Sequence, residues 1–382
     1  MYSDYLKPVS KELQDFAKSC NSFCIGSTIH FKLDELDEDL SNSKNKIALI
    51  GIQENRSNPK DSEEDLDFDL IRTALYSLKK GNWSIPIFDF GDLISSHDKS
   101  TSLELMTKVT ENLLKENYFI IILGGTPSLA FAQYRAYDNL IKNLHFVTVD
   151  EKIRLGNELL NVNDDNYLTK IITSEPLNLM DYSTLAYQTY FVAQEELDLS
   201  ETLNFEALRL GEITADIKEV EPLVRNANAA VINLNVIEAN YFSSTTHLTP
   251  NGLNSREICA IGKYLGASYN MSSVYIANYL EKFHHLDHLL FSQIIWYILD
   301  GRNIRPEIKN VEDLQYFEKY YVPTDIEDFI FYRQIDTNQW SIEITSKDNE
   351  EKIILPCSVK DYERAINSEI PKKWWKFFKK FY

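Results

Sequence analysis

A chain of 382 residues with 44% apolar side chains is long enough to enclose a large core, as one big domain with an appendage or as two domains. Its 39 basic residues against 58 acidic ones give a net charge of −19, which repels phosphate backbones and anionic membranes and excludes nucleic acid as a general partner. Four scattered cysteines are too few for a disulfide framework, and the polar start MYSDYLKPVSKEL lacks the apolar stretch of a signal peptide, so a reducing, cytoplasmic setting is predicted.

Apolar, β-branched runs alternate along the chain with stretches of helical spacing, which predicts a mainly parallel sheet covered by helices on both faces. Lys46–Ile52 (KIALIGI) reads as the first buried strand, and Asp67–Lys79 as a helix with Phe68, Ile71, Leu75 and Leu78 on one stripe. Ile85–Phe90 (IPIFDF) is the next strand and Leu103–Glu116 the next helix, on Leu105, Val109, Leu113 and Leu114. Tyr118–Leu123 (YFIIIL), Leu144–Val149 (LHFVTV) and Ala229–Ile237 (AAVINLNVI) are further buried strands; the first of these, six residues long, falls far short of the ~20 needed to cross a bilayer as a helix. Helical spacing returns at Asn254–Leu265 and Glu281–Leu299, the second helix predicted to end at Asp300-Gly301, where glycine suits a C-cap. Asp34–Asn45 and Glu54–Asp67 are polar and predict exposed loops.

These elements assign residues 1–305 to an α/β domain. Beyond them, residues 306–382 form an extension: Asp328–Arg333, Gln339–Ile344 and Lys352–Leu355 predict a small antiparallel meander with a turn at Asp336-Thr337-Asn338. A helix at about Val359–Ile366 follows, capped by Ser358, and then the basic aromatic tail PKKWWKFFKKFY.

In a doubly wound sheet a ligand lies beyond the carboxyl ends of the strands. Three segments occupy such positions: Gly124-Gly125-Thr126-Pro127-Ser128, Asp150-Glu151-Lys152-Ile153-Arg154, and Asn233-Leu234-Asn235. In this order they resemble the motifs Gly-Gly-x-His-Ser, Asp-x-His-x-Asp and Ser-x-Asp-x-Asp-x-x-Asp-Pro of arginases, agmatinases and formimidoylglutamases, the ureohydrolase family. KIALIGIQENRS, IRTALYSLKKGNW and PNGLNSREICAIGKYLG extend the resemblance over roughly residues 20–305. GGTPSLAFAQYRAY and the tryptophan-bearing tail are similar to a degenerate, Bacteroidetes-type branch. The resemblance implies a three-layer arginase-like α/β fold, hydrolysis of linear amidine or guanidine C–N bonds, two manganese ions held by six ligands, and assembly into trimers or hexamers.

Residue by residue, the implied ligand set is mostly missing. The first histidine position is Pro127; the second motif keeps Asp150 but has Lys152 and Arg154 at its histidine and last aspartate positions. Asn233 and Asn235 replace two aspartates, and Glu238-Ala239 stands where the family has Asp-Pro. Two divalent ions ~3.5 Å apart repel by roughly 19 kcal/mol at an effective dielectric of about 20, which one carboxylate does not offset. Lys152 and Arg154 oppose a metal further, since arginine stays protonated. Asp150, Lys152, Arg154, Asn233 and Asn235 are close to neutral without any ion, as an interior requires. No residue is therefore given a catalytic or metal-ligating role, no cofactor is expected, and Asp150 is predicted to lie within salt-bridge reach of Lys152, Arg154 or another cation.

Those five residues admit a hydrogen-bond network filling the site, a pocket for an anionic small molecule, or hydrolysis by a metal-free route. The expectation is a pseudoenzyme with a binding or scaffolding role, its partner an unknown protein or an anionic small molecule; the rival is a hydrolase of linear amidines or guanidines. Cys20 and Cys24 read as buried thiols, Gly124-Gly125 as a tight turn and His145 as a core histidine. His284 with His288 falls at helical spacing and reads as a solvated face more readily than a metal site. The tail is predicted to fold back, burying Trp374 and Trp375 on the main domain while its lysines meet acidic surface; the alternative is a docking role.

Overall fold

The computed structural model describes residues 5–31, 45–56, 66–94, 96, 98–157, 161–280, 285–305, 307, 310–325, 327–345 and 352–381. Most of the predicted loop at Asp34–Asn45, the middle of that at Glu54–Asp67, and His284 lie outside the described residues. Among the described residues, ten strands form one sheet: β1 (Leu6–Lys7), β2 (Ile29–His30), β3 (Lys46–Ile52), β4 (Ile87–Leu93), β5 (Tyr118–Leu123), β6 (Leu144–Val149), β7 (Leu179–Tyr187), β8 (Glu206–Arg209), β9 (Ala229–Asn233) and β10 (Ser273–Ala277). Their spatial order is β1-β4-β3-β5-β10-β9-β6-β7-β8, with β2 also beside β4; among the described residues every pairing in this sheet is parallel except β1 with β4. The helices are α1 (Lys11–Ser19), α2 (Asp69–Ser77), α3 (Lys99–Lys115), α4 (Ala130–Arg135), α5 (Tyr167–Thr173), α6 (Gln194–Thr202), α7 (Leu210–Ala215), α8 (Val220–Val224), α9 (Ser255–Ala267) and α10 (His285–Asn303).

The continuous apolar strands follow from burial on both faces. Along β3, Ile47 and Leu49 enter one core with α2, α9 and α10, while Ala48, Ile50 and Ile52 enter the other with α3, α4 and α5. Strand β7 carries polar residues that periodicity alone does not read as buried. Its Tyr182, Ser183 and Thr184 sit beside β6, where Tyr182 Oη and Thr148 Oγ1 are 2.6 Å apart, Thr148 Oγ1 donates to Thr184 Oγ1 at 3.1 Å, and His145 Nε2 is 3.3 Å from Ser183 Oγ. Partners across the ladder remove the cost of burying them.

The helix expected to stop at Asp300-Gly301 continues to Asn303. Gly301 is a packing residue: a Cβ there would lie 2.1 Å from the Lys263 carbonyl oxygen on α9, and one at Gly266 would lie 2.1 Å from that of Ile298 on α10. Their hydrogens let the two helices meet along backbone. The predicted strand Ala229–Ile237 ends earlier, at Asn233, where the chain enters a single 3₁₀ turn, Leu234–Val236.

The C-terminal unit has four antiparallel strands, β11 (Phe317–Val322), β12 (Phe329–Gln334), β13 (Trp340–Thr345) and β14 (Lys352–Cys357), so β11 joins the three predicted ones at an edge. Helices α11 (Val359–Ile366) and α12 (Lys372–Phe381) pack Ala365 and Trp374 on Phe329, Phe331, Ile342 and Ile344. Trp374 is buried as predicted, but on this small sheet, whereas Trp375 is 42% exposed. The tail's lysines reach the main sheet instead: Lys373 Nζ lies 3.4 Å from Glu206 Oε1 on β8, and Lys376 also pairs with Glu206. Arg225, buried after α8, donates to the Trp340 carbonyl oxygen at 2.8 Å and ties the units together. No helix among the described residues is long and apolar enough to cross a membrane.

Candidate functional site

Four neighbouring strands, β5, β10, β9 and β6, deliver their carboxyl ends to one place. After β5, Gly124 and Gly125 take φ of 77° and 80°, the left-handed region that glycine tolerates. The tight turn expected there is present, and Pro127 is buried in the 3₁₀ turn that follows. Asp150 follows β6, Asn233 ends β9 and Asn278 follows β10, so the register aligns them in a row: Val149 faces Ile232 and Asn233 faces Ala277.

Side chains link this row. Asn233 donates through Nδ2 to Asp150 Oδ2 at 3.1 Å, and its Oδ1 accepts from Asn278 Nδ2 at 3.1 Å and from the Asn235 amide at 3.1 Å. Asn235 turns its Oδ1 toward Thr245 Oγ1 and the His247 amide, and Thr246 Oγ1 donates to Asn278 Oδ1 at 2.8 Å. Asn278 continues the row to β5 by donating its backbone N–H to the Gly125 carbonyl oxygen at 2.7 Å.

Arg154 dominates the electrostatics. Its φ of 65° is left-handed and costs on the order of 1–3 kcal/mol for a residue with a Cβ. The guanidinium closes on Asp150 with two prongs, Nε to Oδ2 at 2.9 Å and Nη2 to Oδ1 at 2.8 Å. Nη2 also reaches Glu151 Oε1 at 3.0 Å, and Nη1 reaches Asp165 Oδ1 at 3.2 Å. Burial raises the Asp150 carboxyl's affinity for a proton, but Arg154 and Asn233 outweigh it and hold this group below the ordinary carboxylate range. Glu151 goes the other way: burial first, and the Asp150 charge second, push it up to about 8.

Lys152 stands nearer solvent, with Nζ 3.1 Å from Asp165 Oδ1. All five residues singled out from the sequence therefore belong to one connected cluster, and Asp150 has its cation in Arg154. Sequence reasoning missed Glu151, Asp165 and Asn278. Asp165 lies in the polar run NVNDDN with no periodicity to mark it, and Asn278 follows β10, a five-residue strand too short and too polar at its start to stand out. Glu54, wholly buried after β3, is likewise neutralised locally, accepting from Arg56 Nε at 2.8 Å.

The other motifs are structural. His288 is 6% exposed with its ring against Tyr279, so the expected solvated face is not what the helix presents there: α10 turns this position inward toward the end of β10. Cys24, Cys259 and Cys357 are buried free thiols and Cys20 is half-buried. Among the described residues no three His, Cys, Asp or Glu side chains are grouped to hold a metal ion. Chemically, the cluster offers buried ion pairs and amides in the interior, with Lys152 and Asp165 at the rim.

The model of the arginase family matches residues 45–279. A structure of Trypanosoma cruzi formiminoglutamase with Mn2+2 superposes with a TM-score of 0.62 at 12% identity, covering 71% of this chain and 96% of the other. The formimidoylglutamase of Bacillus subtilis subsp. subtilis str. 168 gives 0.61 at 17% identity over 78% and 100%. A hypothetical agmatinase from Burkholderia thailandensis gives 0.59 at 15% identity over 70% and 89%. At these identities the likeness is one of fold. No curated protein matches the sequence.

Proposed function

This chain belongs to the arginase family, and from that premise we propose that it is a non-hydrolytic member, a pseudoenzyme with a binding or scaffolding role. The carrying observation is the two-pronged pair of Arg154 with Asp150, which puts a permanent protein cation on the one carboxylate retained at the implied ligand positions. Two manganese ions do not fit the residues present. Both Asp150 oxygens already accept hydrogen bonds, and Pro127, Lys152, Arg154, Asn233 and Asn235 supply no carboxylate or imidazole. A metal would have to displace a buried guanidinium, and breaking such a pair costs about 3–5 kcal/mol before any ligand is gained. The expected partner is a protein or an anionic small molecule, in the cytoplasm, with self-association open to measurement.

Thermal melts and product assays test this reading together. Millimolar manganese is expected to leave the melting temperature unchanged, since a ligand stabilises only through preferential binding to the folded state. Urea, formamide and ammonia release from guanidine and formimino substrates should stay at background. A dose-dependent rise in melting temperature with turnover would favour the rival, a hydrolase of linear amidine or guanidine C–N bonds like its structural neighbours.

A further inference from the structure

At the rim of the site one carboxylate lies across two cations: Asp165 Oδ1 accepts from Lys152 Nζ at 3.1 Å and from Arg154 Nη1 at 3.2 Å. The three groups are held unequally. Arg154 is 4% exposed and fixed through Nε and Nη2, which leaves Nη1 for Asp165. The Asp165 side chain is 68% exposed, yet its backbone is pinned, donating to Asn163 Oδ1 at 2.9 Å and accepting from the Gly156 amide at 2.9 Å. Its carboxylate thus faces water while the chain carrying it is held in place.

Lys152, Arg154 and Asp165 border a cleft of about 650 Å3, whose apolar wall includes Leu155, Phe191 and Leu199. That volume suits a small organic molecule. Of the nearby acids, Glu196 is committed to the Leu155 and Ala193 amides, at 3.2 Å and 2.9 Å, and Glu195 is exposed. We propose that this cleft binds a small organic monocarboxylate, its carboxylate taking the place of Asp165 across Lys152 Nζ and Arg154 Nη1 and its apolar body lying against Phe191, Leu155 and Leu199.

Charge selects the class. With Asp165 swung away, Lys152 Nζ and Arg154 Nη1 lose the one carboxylate they share, which a single ligand carboxylate replaces, while the Glu195 and Glu196 carboxylates on the same cleft oppose a second negative charge. Asp165 is the internal competitor, present at the high effective concentration of a tethered group. The inference rests on the non-hydrolytic reading above for its binding role.

Benzoate is the probe, titrated by calorimetry with a chelator present into the full chain and its variants. Asp165→Asn should tighten the Kd at least tenfold, and Lys152→Gln should weaken it at least tenfold. Glu195→Gln changes the charge of the cleft equally without freeing the clamp, and should alter the Kd less than threefold. Benzamide should not bind. If Lys152→Gln fails to fold, Lys152→Arg keeps the charge and should retain binding within threefold. An Asp165→Asn Kd equal to that of the unaltered chain, an equal gain from Glu195→Gln, or benzamide binding as well as benzoate would each overturn the proposal. Turnover with manganese would overturn only the non-hydrolytic reading, because the titration contains no free metal.

Discussion

The residue on which the site turns is Arg154. Replacing it with alanine removes the guanidinium and leaves the Asp150 carboxylate buried at a strand end without its cation, so a loss of about 3–5 kcal/mol is expected in urea unfolding. Lysine in its place keeps the charge but not the two prongs, and should fall between. Glu151 predicts a pH dependence of definite sign. Its folded carboxyl is pushed up to about 8, so its contribution to stability is complete below the unfolded value near ~4.3 and is lost as pH rises through 8. The melting temperature should therefore fall more between pH 5 and 9 in the unaltered chain than in Glu151→Gln; parallel curves would contradict this. Asp150, held below its ordinary range, has the opposite sign and withdraws its contribution only as the solution becomes strongly acidic. That Asp150 would pair with a neighbouring cation was legible in the sequence, but which cation and its two-pronged form were not: Arg154 makes that contact from a positive φ that a side-chain pattern does not encode.

At the scale of elements, the contact of α9 with α10 sets two rules against each other. Gly301 lies within a helix, where propensity alone favours alanine by up to ~1 kcal/mol. The close approach to the Lys263 carbonyl oxygen reverses that preference, since a Cβ at 2.1 Å forces the helices apart. Gly301→Ala should destabilise by about 1–3 kcal/mol, and Gly266→Ala similarly, as overpacking does; an unchanged or raised unfolding midpoint would return Gly301 to the capping role its sequence context suggests. The uninterrupted strands β3, β5 and β6 were readable because two buried faces demand apolar side chains at successive positions. Strand β7 and edge strand β11 were not. In the first, Ser183 and Thr184 are buried against hydroxyl and imidazole partners; in the second, half-buried Glu318 and Lys319 interrupt the apolar pattern, Glu318 pairing with Arg333 and Lys319 lying over the Tyr332 ring.

Across the whole molecule, an acidic body and a basic tail meet at the outer strand of the large sheet. Lys373 and Lys376 close on Glu206 of β8, while Trp374 stacks with Phe378 and packs edge-on against Phe329 of the small sheet. Helix α12 thereby joins the two units through its lysines and Trp374. A chain ending at Ile370 should lose on the order of 2–3 kcal/mol, mostly from Trp374, and its melting temperature should drop; an unchanged melt would assign the tail to docking instead. Trp375→Ala should cost far less, because that ring is already 42% exposed. The sequence by itself determined the parallel α/β architecture, the acidic balance and the departures from the implied ligand set, because apolar periodicity and formal charge are local properties. Only the tertiary structure decided which polar groups satisfy one another. Asp165 reaches Arg154 from 11 residues away and Asn278 reaches Asn233 from 45, contacts made by neighbouring strand ends and a turned-back loop, and it is these distant partners that make the cluster electrically self-sufficient.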